Sequence, residues 1–347
     1  MKDHKHTKQI LLSLILIVTV IIVGWSNALA LVGTAEYYIL RANSTGEVVA
    51  GVSTDKTVHI WDALTGDVML IFDVPIPPLA IAWSPSSDRL AVVGGDPLVR
   101  VYCVDLYEVM GCDQGNVVAV LEGHQSPLIA VDWSNDDRLI TGGQYEVFSV
   151  RLWDMSNYQL VQNYLGGDTR QLHWHPNNTL IAQANLSGGA YILSGDLDPS
   201  LDRRDQRISP NDLTPVFSIA WNHDGSLLAY GDDQGVVRVI DATTRQELQV
   251  FQGTGQIYGL AWSPNGNYLA SSSSDGSMNI WRMTTQGLSV QSVNTFNVDK
   301  QVAITLGIDW TSNGTLLYPS NNNLIFEVRT NSTNTPEAFG EDSNQNP

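Results

Sequence analysis

Hydrophobic and polar positions alternate in short runs along this chain, and most of the runs end on tryptophan. Six such runs are Leu79–Trp83, Ile129–Trp133, Arg170–Trp174, Phe217–Trp221, Tyr258–Trp262 and Leu306–Trp310. Tyr38–Ala42 follows the same template with Ala42 in the tryptophan place, and successive anchors lie 41 to 50 residues apart. Two residues before the anchor stand Leu40, Ile81, Val131, Leu172, Ile219, Leu260 and Ile308, all aliphatic. Four before it the residue is apolar in every run except one, which has Arg170. This period of two predicts a strand with one well-buried face. The intervening residues Arg41, Ala82, Asp132, His173, Ala220, Ala261 and Asp309 then point to the other side.

Turn chemistry follows each anchor, as in Ser263-Pro264-Asn265-Gly266 and Asn222-His223-Asp224-Gly225. A second strand comes next, as at Leu90-Ala91 and Leu228-Ala229, and then a third, clearest at Thr57–Asp62, Val150–Asp154 and Ser277–Trp281. Outer fourth strands are predicted at Asp67–Phe72, Val117–Leu121 and Glu247–Phe251. A unit of this size cannot bury both of its faces alone, so seven of them must stack around an axis. The expected class is all-β, a seven-bladed β-propeller of four-stranded antiparallel blades.

The residues now in view resemble the WD-repeat β-propeller family over 36–330. The resemblance rests on Trp61-Asp62, Trp153-Asp154, Gly123-His124, the run Ala261–Gly266 and Ser273–Gly276. In that family a buried His, a Ser or Thr, a turn Asp and the strand Trp form a hydrogen-bonded set within a blade. Here only the third unit has the His. It offers His124, Thr141 and Trp153, but two extra residues displace the acid, and Glu146 is the nearest substitute. Asp55 with Trp61 and Asp275 with Trp281 keep the acid and the Trp without the His, and Asp96 is paired with Tyr102. The resemblance implies a scaffold that docks a protein or peptide on a propeller face, with no cofactor and no catalysis.

The ends of the chain add an expectation of address. Residues 1–30 carry Lys2, Lys5 and Lys8, an apolar run Ile10–Val23 and small residues at Ala28 and Ala30. This is the pattern of a signal peptide cut after Ala30, or of an uncleaved signal anchor. Either places residues 31–330, the propeller, outside the cytoplasm, secreted or tethered to the membrane through its N-terminus alone. Residues 331–347 are polar and lack a core pattern, so a disordered tail is expected. The net charge of −18 disfavours nucleic acid as a partner. Ring closure would pair Leu324–Arg329 with Leu31–Ala35, and the ring is expected to be monomeric. Cys103 and Cys112 either pair in an oxidising compartment or are two unrelated thiols.

Candidate chemistry is sparse. Asp132, His173 and Asp309 are the axial polar candidates, and they carry the competing reading, a secreted propeller hydrolase of lactonase-like type with an axial acid/His site. Structural acids, each satisfied by hydrogen bonds, are the simpler expectation. His173 and His175 flank Trp174 but have no third ligand nearby, so no metal site is assigned. Asp196, Asp198, Asp232 and Asp233 lack calcium-loop spacing and read as solvated turns. Arg203, Arg204 and Arg207, in the insertion Leu193–Thr214, form a basic cluster suited to a contact loop. No nucleophile elbow, phosphate loop or zinc-protease motif occurs.

Overall fold

A computed structural model describes residues 29–30, 37–106, 111–195, 207–210, 214–283, 292–297, 307–312, 314–318 and 324–325. These build an all-β propeller of antiparallel blades. Five sheets are four-stranded, beginning at Tyr37, Pro78, Leu128, Val216 and Ile257. The sheet Thr169–Trp174, Leu180–Asn185 and Gly189–Ser194 has three described strands, and Asp309–Trp310 with Leu316–Leu317 forms a two-stranded partial sheet. The described residues thus give six blades and part of a further one, where the repeat predicts seven full blades. In the fourth blade, an isolated bridge sets Arg207 beside Tyr191 of the third strand, where an outer strand would lie.

The core is a ring of apolar clusters, each lying between neighbouring blades. Ile60 and Phe72 of the first blade pack with Ile81 and Trp83 of the second, and Ala182 and Ile192 of the fourth with Ile219 and Trp221 of the fifth. The ring closes where Leu317 meets Leu40, Val49 and Trp61. Closure is also polar: Ala42 N–H donates to Asp309 Oδ2 at 3.0 Å. Burying both faces of each sheet against its neighbours is what lets small units share one core.

The residues two before each anchor are all buried, from Leu40 to Ile308, and so are the six anchor tryptophans. The residues four before the anchor depart from the period-two expectation. In each of the first six blades the inner strand carries a register shift at one equivalent place, for example between Thr169 and Gln171 and between Val216 and Ser218. The skipped residues are Tyr38, Leu79, Ile129, Arg170, Phe217 and Tyr258. A bulge re-aims its extra residue. Leu79, Ile129, Arg170, Phe217 and Tyr258 accordingly line the axial channel, where strict alternation would bury them between blades.

Leu29–Ala30 pairs antiparallel with Leu324–Ile325. The N-terminal partner therefore lies just before the expected Leu31–Ala35, and a cut after Ala30 would remove it. Cys103, in the buried end of a third strand, is bonded to Cys112.

Candidate functional site

The third blade holds the family's polar set in altered form. Trp153 Nε1–H donates to Thr141 Oγ1 at 2.9 Å, and Thr141 Oγ1 lies 2.8 Å from His124 Nε2. On the other side of the ring, His124 Nδ1 stands 3.4 Å from Glu146 Oε1. A carboxylate there favours the tautomer protonated at Nδ1, so Nε2 accepts from the Thr141 hydroxyl. Gly123 precedes this histidine at φ +147°, and a Cβ there would meet Arg151 Nη1 at 2.6 Å. Burial, and next the nearby Arg151 guanidinium, lower the His124 pKa to about 4. Burial alone would raise the Glu146 carboxyl. The Gln125 N–H at 2.9 Å, the Ser126 hydroxyl at 2.8 Å and the Ser126 N–H at 3.0 Å hold it below its usual range.

The same two-residue extension that puts Glu146 in the acid's place throws its neighbours outward. Tyr145 is 83% exposed, Val147 73% and Phe148 48%. The adjoining Leu165 is 49% exposed. Their two segments are tied by Gly166 N–H to Val147 O at 3.4 Å and by Tyr145 N–H to Asp168 Oδ1 at 3.1 Å. Three large apolar groups of this loop, with Leu165 beside them, therefore face solvent, and the base of the loop is fixed by hydrogen bonds to Glu146 and Asp168. Leu128 pairs with Gly143, so this loop lies on the face where the inner strands begin, the face of the bulged residues.

The axial channel has a volume of about 470 Å³ and is lined by all seven inner segments. Its sequence-predicted polar residues act between blades. Asp132 accepts Trp133 N–H at 3.0 Å and Trp174 N–H of the next blade at 2.6 Å. Asp309 does the same for Trp310 N–H at 2.8 Å and for Ala42 N–H. His173 Nδ1 accepts Trp221 N–H at 3.0 Å. The return link is an indole: Trp83, Trp221, Trp262 and Trp310 donate Nε1–H to the carbonyls of Arg41, His173, Ala220 and Ala261 at 3.0 to 3.1 Å. Burial raises the pKa of both Asp132 and Asp309. His173 and Arg41 lie near enough to offset part of that rise in each. The three axial candidates thus share one cavity, but both oxygens of each acid and Nδ1 of the histidine are committed to backbone amides. His175 spends both ring nitrogens locally, Nδ1 on Asn177 N–H and Nε2 on Gly225 O.

Among the described residues no cluster of three or more His, Cys, Asp or Glu is placed to hold a metal. Asp232 is not a solvated turn acid. It is buried, accepting Gln234 N–H, Val236 N–H and Arg238 Nη1–H. Arg207 is half-buried, and its Nε–H donates to Ser209 Oγ at 3.2 Å. Arg203, Arg204, Asp196 and Asp198 lie outside the described residues. The exposed apolar loop at Tyr145–Phe148 escaped the sequence reading, although the two-residue excess before Val150 was its signal.

Two family models match the chain. One described as WD domain, G-beta repeat covers residues 208–241 and 245–282, and one described as eukaryotic translation initiation factor eIF2A covers 35–188. Protein tipD of Dictyostelium discoideum is 25% identical over 268 residues, covering 72% of this chain and 40% of its own length. A serine-threonine kinase receptor-associated protein of Gallus gallus is 25% identical, covering 70% of this chain and 65% of its own length. The target of rapamycin complex subunit wat1 of Schizosaccharomyces pombe is 27% identical over 238 residues, covering 65% of this chain and 71% of its own. The chain therefore spans less than two thirds of the first two relatives.

These relatives correct the extracytoplasmic address expected from the N-terminal pattern. By name two of them are a serine-threonine kinase receptor-associated protein and a subunit of a target of rapamycin complex. Leu29 and Ala30, assigned by pattern to a targeting segment, form a strand paired with Leu324–Ile325. Among the described residues no helix is long and apolar enough to cross a membrane. Residues 1–28 lie outside the described residues, and the secreted or membrane-tethered assignment is set aside.

Proposed function

This chain is a member of the WD-repeat β-propeller family, and from that premise we propose that it is a protein-docking scaffold without catalysis of its own. The observation that carries this reading is the Tyr145–Phe148 loop. Exposed apolar groups of this size, clustered on a fixed base, mark contact surfaces in soluble proteins. Two relatives bear names of association, a receptor-associated protein and a complex subunit, which supports a protein as the partner. The acid/His hydrolase reading needs free groups at the axis. Asp132, His173 and Asp309 are instead engaged as inter-blade links, which favours docking. We take the partial sheet at Asp309–Leu317 as the seventh blade of a monomeric ring, supported by its bond to Ala42 and its packing on the first blade.

Affinity capture with the full-length chain tests this. Replacing Tyr145 and Phe148 together by Ser removes exposed apolar surface and no buried bond, so the Tm should stay within about 2 °C. Proteins retained by the natural chain and lost with the double variant support the loop as the docking surface. An unchanged retained set, or turnover of a small ester that depends on Asp132, would sink the proposal.

A further inference from the structure

Arg170 breaks the repeat at a place where the repeat is otherwise apolar. It is the bulged residue of the fourth inner strand, so the bulge turns it out of the inter-blade core and into the channel. Its ring-mates on the same level are Leu79, Ile129, Phe217 and Tyr258. Phe217 and Tyr258 meet edge to face with centroids 5.3 Å apart. The Tyr258 hydroxyl donates to Gln256 Oε1 at 2.8 Å. Among the described residues Arg170 has no hydrogen bond and no ion pair, and its electrostatic neighbour is the Tyr258 phenol. Burial lowers its pKa to about 10, so the guanidinium stays charged at neutral pH.

Arg170 is partly exposed to the channel, and with no protein partner among the described residues its guanidinium is open to a ligand's counter-charge in an otherwise apolar ring. We propose that the Arg170 ring is a subsite for one carboxylate carried next to an apolar side chain of a bound peptide. The guanidinium presents a planar fork that matches a carboxylate with two parallel N–H···O bonds. Phe217, Tyr258, Leu79 and Ile129 supply the apolar wall for the flanking side chain. A doubly charged phosphate fits less well, because one cation in an apolar ring leaves the second negative charge unpaired. Asp132 sits three positions further along its strand than the bulged Ile129, about 10 Å at the rise of a β-strand, in a layer of the channel that also holds Arg41, His173 and Asp309. This site deepens the docking reading by adding a second contact on the same face. It shares no residue with the Tyr145–Phe148 loop, so either can fail alone.

Fluorescence anisotropy with the full-length protein tests it, using three fluorescein-labelled hexapeptides. One ends in Leu-Phe with a free carboxylate, the second is its C-terminal amide, and the third is an amide with Glu-Phe at its centre. Binding of the first or the third, with at least tenfold weaker binding of the second, is expected. The first as the tighter binder makes the C-terminus the source of the carboxylate, and the third makes it a side chain. Arg170→Leu should weaken the bound peptide at least tenfold, and Arg170→Lys should restore part of that loss. The same Arg170→Leu protein should keep a Tm within about 2 °C of that of the natural chain, because no hydrogen bond or ion pair among the described residues is lost. A purely structural Arg170 would instead lower it. Equal binding of all three peptides, binding of none, or full binding by Arg170→Leu overturns the subsite.

Discussion

Thr141 holds two buried groups with one hydroxyl. It accepts from Trp153 Nε1 and faces His124 Nε2, both in the core of the third blade. Thr141→Val keeps the volume but leaves both nitrogens without a partner. A loss of about 2–4 kcal/mol is expected, since each stranded buried group costs about 1–3 kcal/mol. Urea unfolding measures it, and a change below about 0.5 kcal/mol would contradict the network. His124 also sets a pH dependence. Its pKa of about 4 when folded lies below the ordinary value of 6.5, so between those values the unfolded chain binds the proton and the folded chain does not. Stability should therefore fall as pH drops from 6.5 toward 4. His124→Gln should flatten that slope in unfolding series at pH 7, 6 and 5, and an unchanged slope would place the titrating group elsewhere. The residues of this set were legible in the sequence, including Glu146 as the displaced acid. The exposure of Tyr145, Val147 and Phe148 was not, because an apolar residue in a short insertion reads the same whether it packs or protrudes.

At the level of elements, the inner strand does two jobs that its sequence shows unequally. The buried position two before the anchor follows from period two and holds from Leu40 to Ile308. The bulge does not, since it inserts one residue without changing the residue types around it, and it turns Leu79, Phe217 and Tyr258 from expected core into channel wall. Only Arg170 betrayed it, as a charge that the period would have buried. The residue just before the anchor links blades. Asp132→Ala strips the acceptor from Trp174 N–H and Trp133 N–H and should cost about 2 kcal/mol. Asp132→Asn keeps an acceptor oxygen and should cost less, as thermal unfolding of the two variants would show. Equal stability of both variants and the natural chain would mean that water satisfies these amides.

For the whole molecule, the apolar clusters form a closed circuit in which each blade is stabilised by its neighbours, and the last described sheet returns to the first through Leu317 and Asp309. The period in the sequence foretold this circuit because every blade repeats one packing problem. The N-terminal pattern misled, because apolar character followed by small residues serves a targeting segment and the start of a strand alike. Closure also fixes two faces. The inner strands start on the face of the Tyr145–Phe148 loop and the Arg170 ring, and the turns after the anchors, such as Ser263–Gly266, form the opposite face. Docking on the first face is tested most directly by site-specific photo-crosslinking in cells. A photoreactive residue is placed at Tyr145, and in a second protein at Asn265, an exposed position on the opposite face. Docking by the loop face requires a discrete protein adduct from position 145 that is absent from position 265 and is lost when Phe148 is replaced by Ser. Adducts from 265 alone, or equal adducts from both positions, would contradict it.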